Sequence, residues 1–134
     1  MDITKGIVKF FVDWTKLKVR IHTAEEVERY FYEREIWWAS LGANIGFEQN
    51  GKNDNFERPI LVLKKFNQYV LWALPLTSQE KEGQYYFPTE YNGEKSFVIL
   101  SQLRLISSKR LLRNIRMIPE SEFLEVRKRI KDFL

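Results

Sequence analysis

The apolar positions along the chain change period twice. Ile3, Ile7, Phe10, Phe11, Trp14 and Leu17 recur at three- and four-residue steps, the mark of one apolar helix face. Thr23 followed three residues later by Glu26 forms a capping-box pattern, which predicts a second short helix over Ala24–Tyr32. The helical period then gives way. Glu35–Ser40 carries Ile-Trp-Trp, a bulky run suited to a strand. Gly42–Glu57 is rich in Gly, Asn and charge and reads as a long loop. Loops of more than about 12–15 residues inside a compact domain are usually functional or disordered. Pro59–Phe66 and Tyr69–Leu74 read as strands joined by a tight turn at Asn67-Gln68. Gln84–Phe87, Ser96–Leu103 and Asn114–Ile118 are further strands, with a short helix over Ser107–Leu112. Glu120–Leu134 closes the chain as an amphipathic helix with Phe123, Val126, Ile130 and Phe133 on one face.

About five short strands with helices at both ends predict a mainly β fold of the α+β class. Strands of this number tend to close on themselves as a barrel, because an open sheet leaves unpaired edges. A helical N-terminal segment, 1–33, then precedes a β-barrel domain over 34–134. With 134 residues, 44% of them hydrophobic, there is enough apolar material for one packed core.

Composition removes several chemistries. There is no cysteine, so disulfides, thiolate metal sites and cysteine nucleophiles are excluded. His22 is the only histidine, which rules out a histidine-rich metal site and leaves a serine hydrolase a single base to be built around. No metal ligand set is expected, and no cofactor. The longest apolar runs, Ile60–Leu63 and Val70–Leu74, fall far short of a membrane span of about 20 residues. The N-terminus lacks the features of a secretion signal, so a soluble, cytoplasmic protein is expected. The formal charge is +4 and unevenly placed: from Ser101 onward there are nine basic residues against four acidic ones. Arg104, Lys109, Arg110, Arg113 and Arg116 follow one another without an intervening carboxylate. Such a stretch suits a polyanion, or simply forms a solvated basic rim.

The specific signal begins at Ile36-Trp37-Trp38-Ala39 and Leu41-Gly42, and continues through Gly46-Phe47-Glu48-Gln49-Asn50-Gly51. Then come Arg58-Pro59-Ile60-Leu61-Val62, Leu74-Pro75-Leu76-Thr77-Ser78, Gln102-Leu103-Arg104 and Lys109-Arg110-Leu111. Over about Ile36 to Phe133 this succession resembles the MazF/PemK-like toxins of type II toxin–antitoxin pairs. The resemblance implies a small SH3-like β-barrel with a C-terminal helix, usually a homodimer. It also implies a metal-independent endoribonuclease that cleaves single-stranded RNA and is blocked by a cognate antitoxin, with operator DNA bound only by the toxin–antitoxin complex. The arginine of the R-P motif and the threonine of the P-x-T motif carry the chemistry in that family, and they map to Arg58 and Thr77.

The residue types suit that chemistry. Attack by a neighbouring 2′-hydroxyl needs no enzyme nucleophile, but it needs charge stabilisation on a pentavalent phosphate and a splayed strand. Arginine offers a permanent charge and a bidentate fork, and a threonine hydroxyl offers one more donor. Without those motifs Arg58 would read as a rim arginine paired with Glu57, and Thr77 as a turn residue. Glu48 and Gln49 open the long loop, where they either shuttle a proton and read a base or pin the loop by hydrogen bonds. Ser78 lies beside Thr77 as a further substrate-side candidate. Gln102, Arg104, Lys109 and Arg110 are candidates for binding RNA or the antitoxin, and Arg104 and Arg110 equally for holding a dimer. Trp37, Trp38, Trp72, Tyr85 and Tyr86 could stack bases, although alternation along strands favours the core for Trp37 and Trp72. His22 reads as a solvated or capping residue.

Two departures from the family pattern stand out. The stretch from Glu48 to Arg58 is lengthened, and the helical N-terminus is additional, its apolar face needing either the barrel or a second subunit. Two rival functions share the fold: a non-enzymatic toxin of the gyrase-poison (CcdB) type, and a decayed interaction module that regulates its own operon. Few apolar anchors in Gly42–Glu57 predict a loop that is mobile until liganded.

Overall fold

The structure, a computed structural model, describes residues 3–25 and 29–134. The described residues form helix α1 (Ile3–Thr23), then strands β1 (Glu35–Ser40), β2 (Glu57–Lys65), β3 (Val70–Thr77), β4 (Tyr86–Tyr91) and β5 (Glu94–Ile99). Strands β6 (Arg104–Ser107) and β7 (Leu111–Met117) follow, and helix α2 (Glu120–Asp132) ends the fold. Two 3₁₀ turns, Leu100–Gln102 and Ser108–Arg110, flank β6. Among the described residues no helix is long and apolar enough to cross a membrane.

The strands pair antiparallel in the order β4-β5-β3-β2-β1-β7, with β6 added to β3. The outcome is a curled half-barrel with a helix at each end of the chain. Its two end strands meet through side chains: Arg116 on β7 donates from Nη2 to the Thr89 hydroxyl of β4 at 2.9 Å and stacks on Tyr91. Strand β3 makes the corner. Its first half, Val70–Ala73, pairs with β6, and its last residues, Leu76 and Thr77, pair with Val98 and Phe97 of β5.

Both faces of the central strands are covered, which accounts for their unbroken apolar runs. Ile36, Leu61, Leu63, Leu74 and Leu76 point to one core, closed by Phe123 and Val126 of α2. Trp37, Ile60, Val62, Leu71 and Ala73 point to the other, with Phe31, Ile106 and Leu111. A third, smaller cluster joins Trp14 to Ala43 and Phe56, with Phe10, Leu17 and Ile21 packed around it.

Several details differ from the sequence reading. Thr23 closes α1, its hydroxyl donating back to the Val19 carbonyl, and does not open a new helix. The described part of the expected Ala24–Tyr32 helix is not helical, and Phe31 is instead fully buried in the second core; Glu26 lies outside the described residues. Only one side of the apolar arc of α1 is docked, and Ile7, Val8, Phe11, Val12 and Val19 stay exposed. Trp72 is 41% exposed and packs edge-on to Phe66, so it is not a core residue, whereas Trp37 is.

The loop between β1 and β2 is irregular, as expected, but its anchors go beyond the few that its composition suggests. Phe56 and Ala43 are buried, although Ile45 and Phe47 stand exposed. Asn44 donates from Nδ2 to the Gln49 carbonyl at 2.7 Å, and its backbone nitrogen donates to the Asn50 side-chain oxygen.

Candidate active site

The β2–β3 register pairs Ile60 with Pro75 and Leu61 with Leu74. Continued two residues, it sets Arg58 opposite Thr77, where β3 leaves β2 to pair with β5. The two sheets part at that point and leave a cleft of about 340 Å³. Arg58, Thr77 and Ser78 all line it, together with Trp38, Tyr91 and Pro59. Four cations, Lys52, Arg58, Lys95 and Arg116, face two carboxylates, Glu57 and Glu94, so the cleft is net positive.

The Arg58 guanidinium is half-buried and held by the backbone. Its Nε donates to the Asn50 carbonyl at 2.7 Å and its Nη1 to the Leu76 carbonyl at 3.1 Å. An arginine has five N–H donors, so three remain for a ligand. Burial lowers its pKa from the ordinary value, and an arginine keeps its charge at neutral pH even so. Thr77 is buried, and its oxygen accepts from the Gln79 backbone nitrogen at 3.2 Å. That turn uses a lone pair and leaves the hydroxyl hydrogen available. Glu57 does not pair with Arg58. It accepts from both Nη groups of Arg113, at 3.0 and 3.2 Å, and Arg113 in turn lies over the Trp38 ring.

Glu48, Gln49, Gln102 and Arg104 line a second cleft of about 510 Å³, apart from Arg58 and Thr77. The Glu48 carboxylate accepts from the Ile45 backbone nitrogen at 2.8 Å, and its charge supports that of Arg104. Gln102 clamps the loop from both sides: its Oε1 accepts from the Gln49 nitrogen and its Nε2 donates to the Phe47 carbonyl. Glu48 thus bonds within the loop through its side chain, and Gln49 bonds to Gln102 through its backbone. The Arg104 Nη1 reaches the Leu41 carbonyl at 3.4 Å, and burial lowers its pKa.

Lys109 and Arg110, two of the candidates for binding RNA or the antitoxin, both reach α1. The Lys109 ammonium donates to the carbonyls of His22 and Ala24 at 2.9 and 3.0 Å, at the helix C-terminus where the dipole favours a cation. Arg110 donates from Nη1 to the Ser40 carbonyl at 3.0 Å while lying over the Trp14 ring. Burial, and then the neighbouring charge of Arg104, lower its pKa. Among the described residues, no three His, Asp or Glu side chains cluster as a metal site would require. Tyr91, Lys52 and Lys95 carry no site signal in the sequence, and Arg116 carries one only as a member of the basic stretch. They come from the β4–β5 hairpin, the β1–β2 loop and β7, and only the folded register brings them to Arg58.

Fold and cleft together define a small curled β-barrel with a cationic site at a sheet corner. Residues 32–134 match the family model described as the PemK-like, MazF-like toxin of type II toxin–antitoxin systems, and the chain belongs to that family. The fold is similar to that of MazF from Deinococcus radiodurans, with 20% identity over 78% of this chain and 97% of that one and a TM-score of 0.62. It is similar also to the Mycobacterium tuberculosis toxin MazF-mt6, 19% identical over 74% and 94% of the two chains with a TM-score of 0.57. An endoribonuclease from a mycobacterial species, solved in complex with its cognate antitoxin, superimposes with a TM-score of 0.60 at 8% identity, over 77% and 93% of the two chains. No curated protein sequence matches the chain significantly.

Proposed function

We propose that this protein is the toxin of a type II pair, a metal-independent endoribonuclease that cleaves single-stranded RNA at the Arg58 cleft. The observation that carries the reading is the meeting of Arg58 and Thr77 in one cationic cleft, each with unused hydrogen-bond donors. A phosphodiester seated there would present its non-bridging oxygens to the free Arg58 N–H groups and to the Thr77 hydroxyl. As the neighbouring 2′-oxygen attacks phosphorus, the bond to the 5′-oxygen breaks and negative charge builds on those oxygens. Donors already fixed in place lower the barrier without reorganising. The 2′-hydroxyl proton leaves to solvent or to a cleft carboxylate, and the departing 5′-oxygen takes a proton from solvent. Products would be a 2′,3′-cyclic phosphate and a 5′-hydroxyl. Trp38 and Tyr91 offer aromatic faces for splayed bases beside the phosphate.

On this reading the active form is a homodimer held inactive by a protein antitoxin. The direct test is incubation of the purified protein with a long unstructured RNA in excess chelator, followed by analysis of the new ends. Cleavage with cyclic-phosphate ends is the expected result. Intact RNA, with cutting that returns only on adding magnesium, would overturn the metal-free mechanism.

A further inference from the structure

Helix α1 lies outside the matched residues, yet it reaches the Arg58 cleft through three packed layers. In the first, the rings of Phe10 and Trp14 sit 5.1 and 5.6 Å from that of Phe56. Phe56 has a φ of +47°, a left-handed backbone that is strained for a bulky residue and persists only when its surroundings hold it. Trp14 also presses on Gly42, where φ is +90° and a Cβ would clash with the indole ring. In the second layer the Phe56 carbonyl accepts from the backbone nitrogens of Leu41 and Gly42, at 2.8 and 3.2 Å. The Gly42 carbonyl accepts from the Gly51 nitrogen at 2.8 Å, and a Cβ on Gly51 would overlap the Phe56 carbonyl. The third layer is the Asn50 carbonyl, next to Gly51, which holds the Arg58 Nε at 2.7 Å.

We propose that Trp14, supported by Phe10, is a positioning residue for the Arg58 guanidinium: it locks Phe56 and Gly42, and through Gly51 and Asn50 it sets where Arg58 points. The catalytic consequence rests on the reading of this cleft as the RNA-cleaving site. The geometric consequence does not. Arg110 belongs to the same device, since its guanidinium lies between the Trp14 ring and the Ser40 carbonyl and ties the start of the loop to α1. The added helix therefore supports the site from behind without lining it.

The test uses the full chain as wild type, Trp14→Leu, Trp14→Phe and, on the outer face of α1, Val12→Ala. Two readouts are taken: steady-state cleavage of an unstructured RNA oligonucleotide, and the Arg58 Nε–H resonance, which reports the bond to Asn50 without needing activity. A misplacement of about 1 Å at a reacting centre can cost on the order of 10²-fold in rate. For Trp14→Leu, kcat should fall by roughly that factor with KM little changed, since the interaction removed serves the transition state. The Arg58 resonance should move with it. Trp14→Phe should restore most of both, and Val12→Ala should match wild type. A folded Trp14→Leu protein with wild-type kcat and an unmoved resonance would overturn the proposal. So would a fall in kcat with an unmoved resonance, because Trp14 would then act by another route. If Trp14→Leu does not fold, Phe10→Leu replaces it, with the same expectations in smaller measure. If wild type leaves RNA intact, the cleavage reading fails, and the resonance alone decides whether Trp14 sets Arg58.

Discussion

Individual arginines that look alike in the sequence have different tasks in the fold. Arg58 is tethered by two carbonyls and keeps three donors free, whereas Arg110 is turned inward against Trp14 and the Ser40 carbonyl. Arg110→Ala should therefore lower stability by about 1–3 kcal/mol, the cost of leaving a buried polar partner unmade, as read by a urea midpoint. It should leave the salt dependence of RNA affinity unchanged. Lys52 and Lys95 line the cleft and are exposed. Substituting each by Ala should flatten the log–log salt slope by roughly 0.7 for every phosphate of a single strand that is no longer neutralised. An Arg110→Ala slope that flattens, beside unchanged slopes for the two lysines, would reverse these assignments.

At the scale of elements, the strands are legible because the apolar runs Ile60–Leu63 and Val70–Leu74 are long, bulky and bounded by turn residues. The Asn67 turn is legible too: its side-chain oxygen accepts from the Tyr69 and Val70 nitrogens. Three elements are harder to read. Strand β6 reads Arg-Leu-Ile-Ser with a 3₁₀ turn on either side, too short for alternation to register. The β4–β5 hairpin does carry a local signal, Asn92-Gly93, both with positive φ as a tight hairpin turn needs, but its strands alternate too weakly to bring that signal forward. Thr23 and Glu26 have the spacing of a capping box, but the Thr23 hydroxyl bonds back to the Val19 carbonyl at the end of α1, and Phe31 is buried in the second core. The expectation of a mobile Gly42–Glu57 loop weighs apolar anchors and misses side-chain amides. Gln102, distant in sequence, supplies two of the bonds that hold the loop. Gln102→Ala should speed tryptic cleavage at Lys52 in the free protein, while cleavage within the β strands stays slow. Equal rates in both proteins would mean that Phe56 and Asn44 suffice.

For the whole molecule, the basic C-terminal stretch does not form one continuous patch. Arg104 and Arg110 turn toward the Ser40–Leu41 backbone, Lys109 caps α1, Arg113 binds Glu57, and Arg116 bridges the seam of the half-barrel. Sequence charge shows that cations are present, and only the fold shows which of them face the cleft. The meeting of Arg58 with Thr77, by contrast, is legible from the motifs without any register, because each residue lies inside a short motif and both come to one cleft. On the proposed function these two side chains stabilise charge on a phosphate. Single-turnover cleavage of one RNA by wild type, Arg58→Ala and Thr77→Val, each shown to be folded by circular dichroism, decides whether they do. Each substitution should slow cleavage by about 10²–10³-fold, the usual cost of one such donor. A folded Arg58→Ala protein that cuts at the wild-type rate would rule that role out.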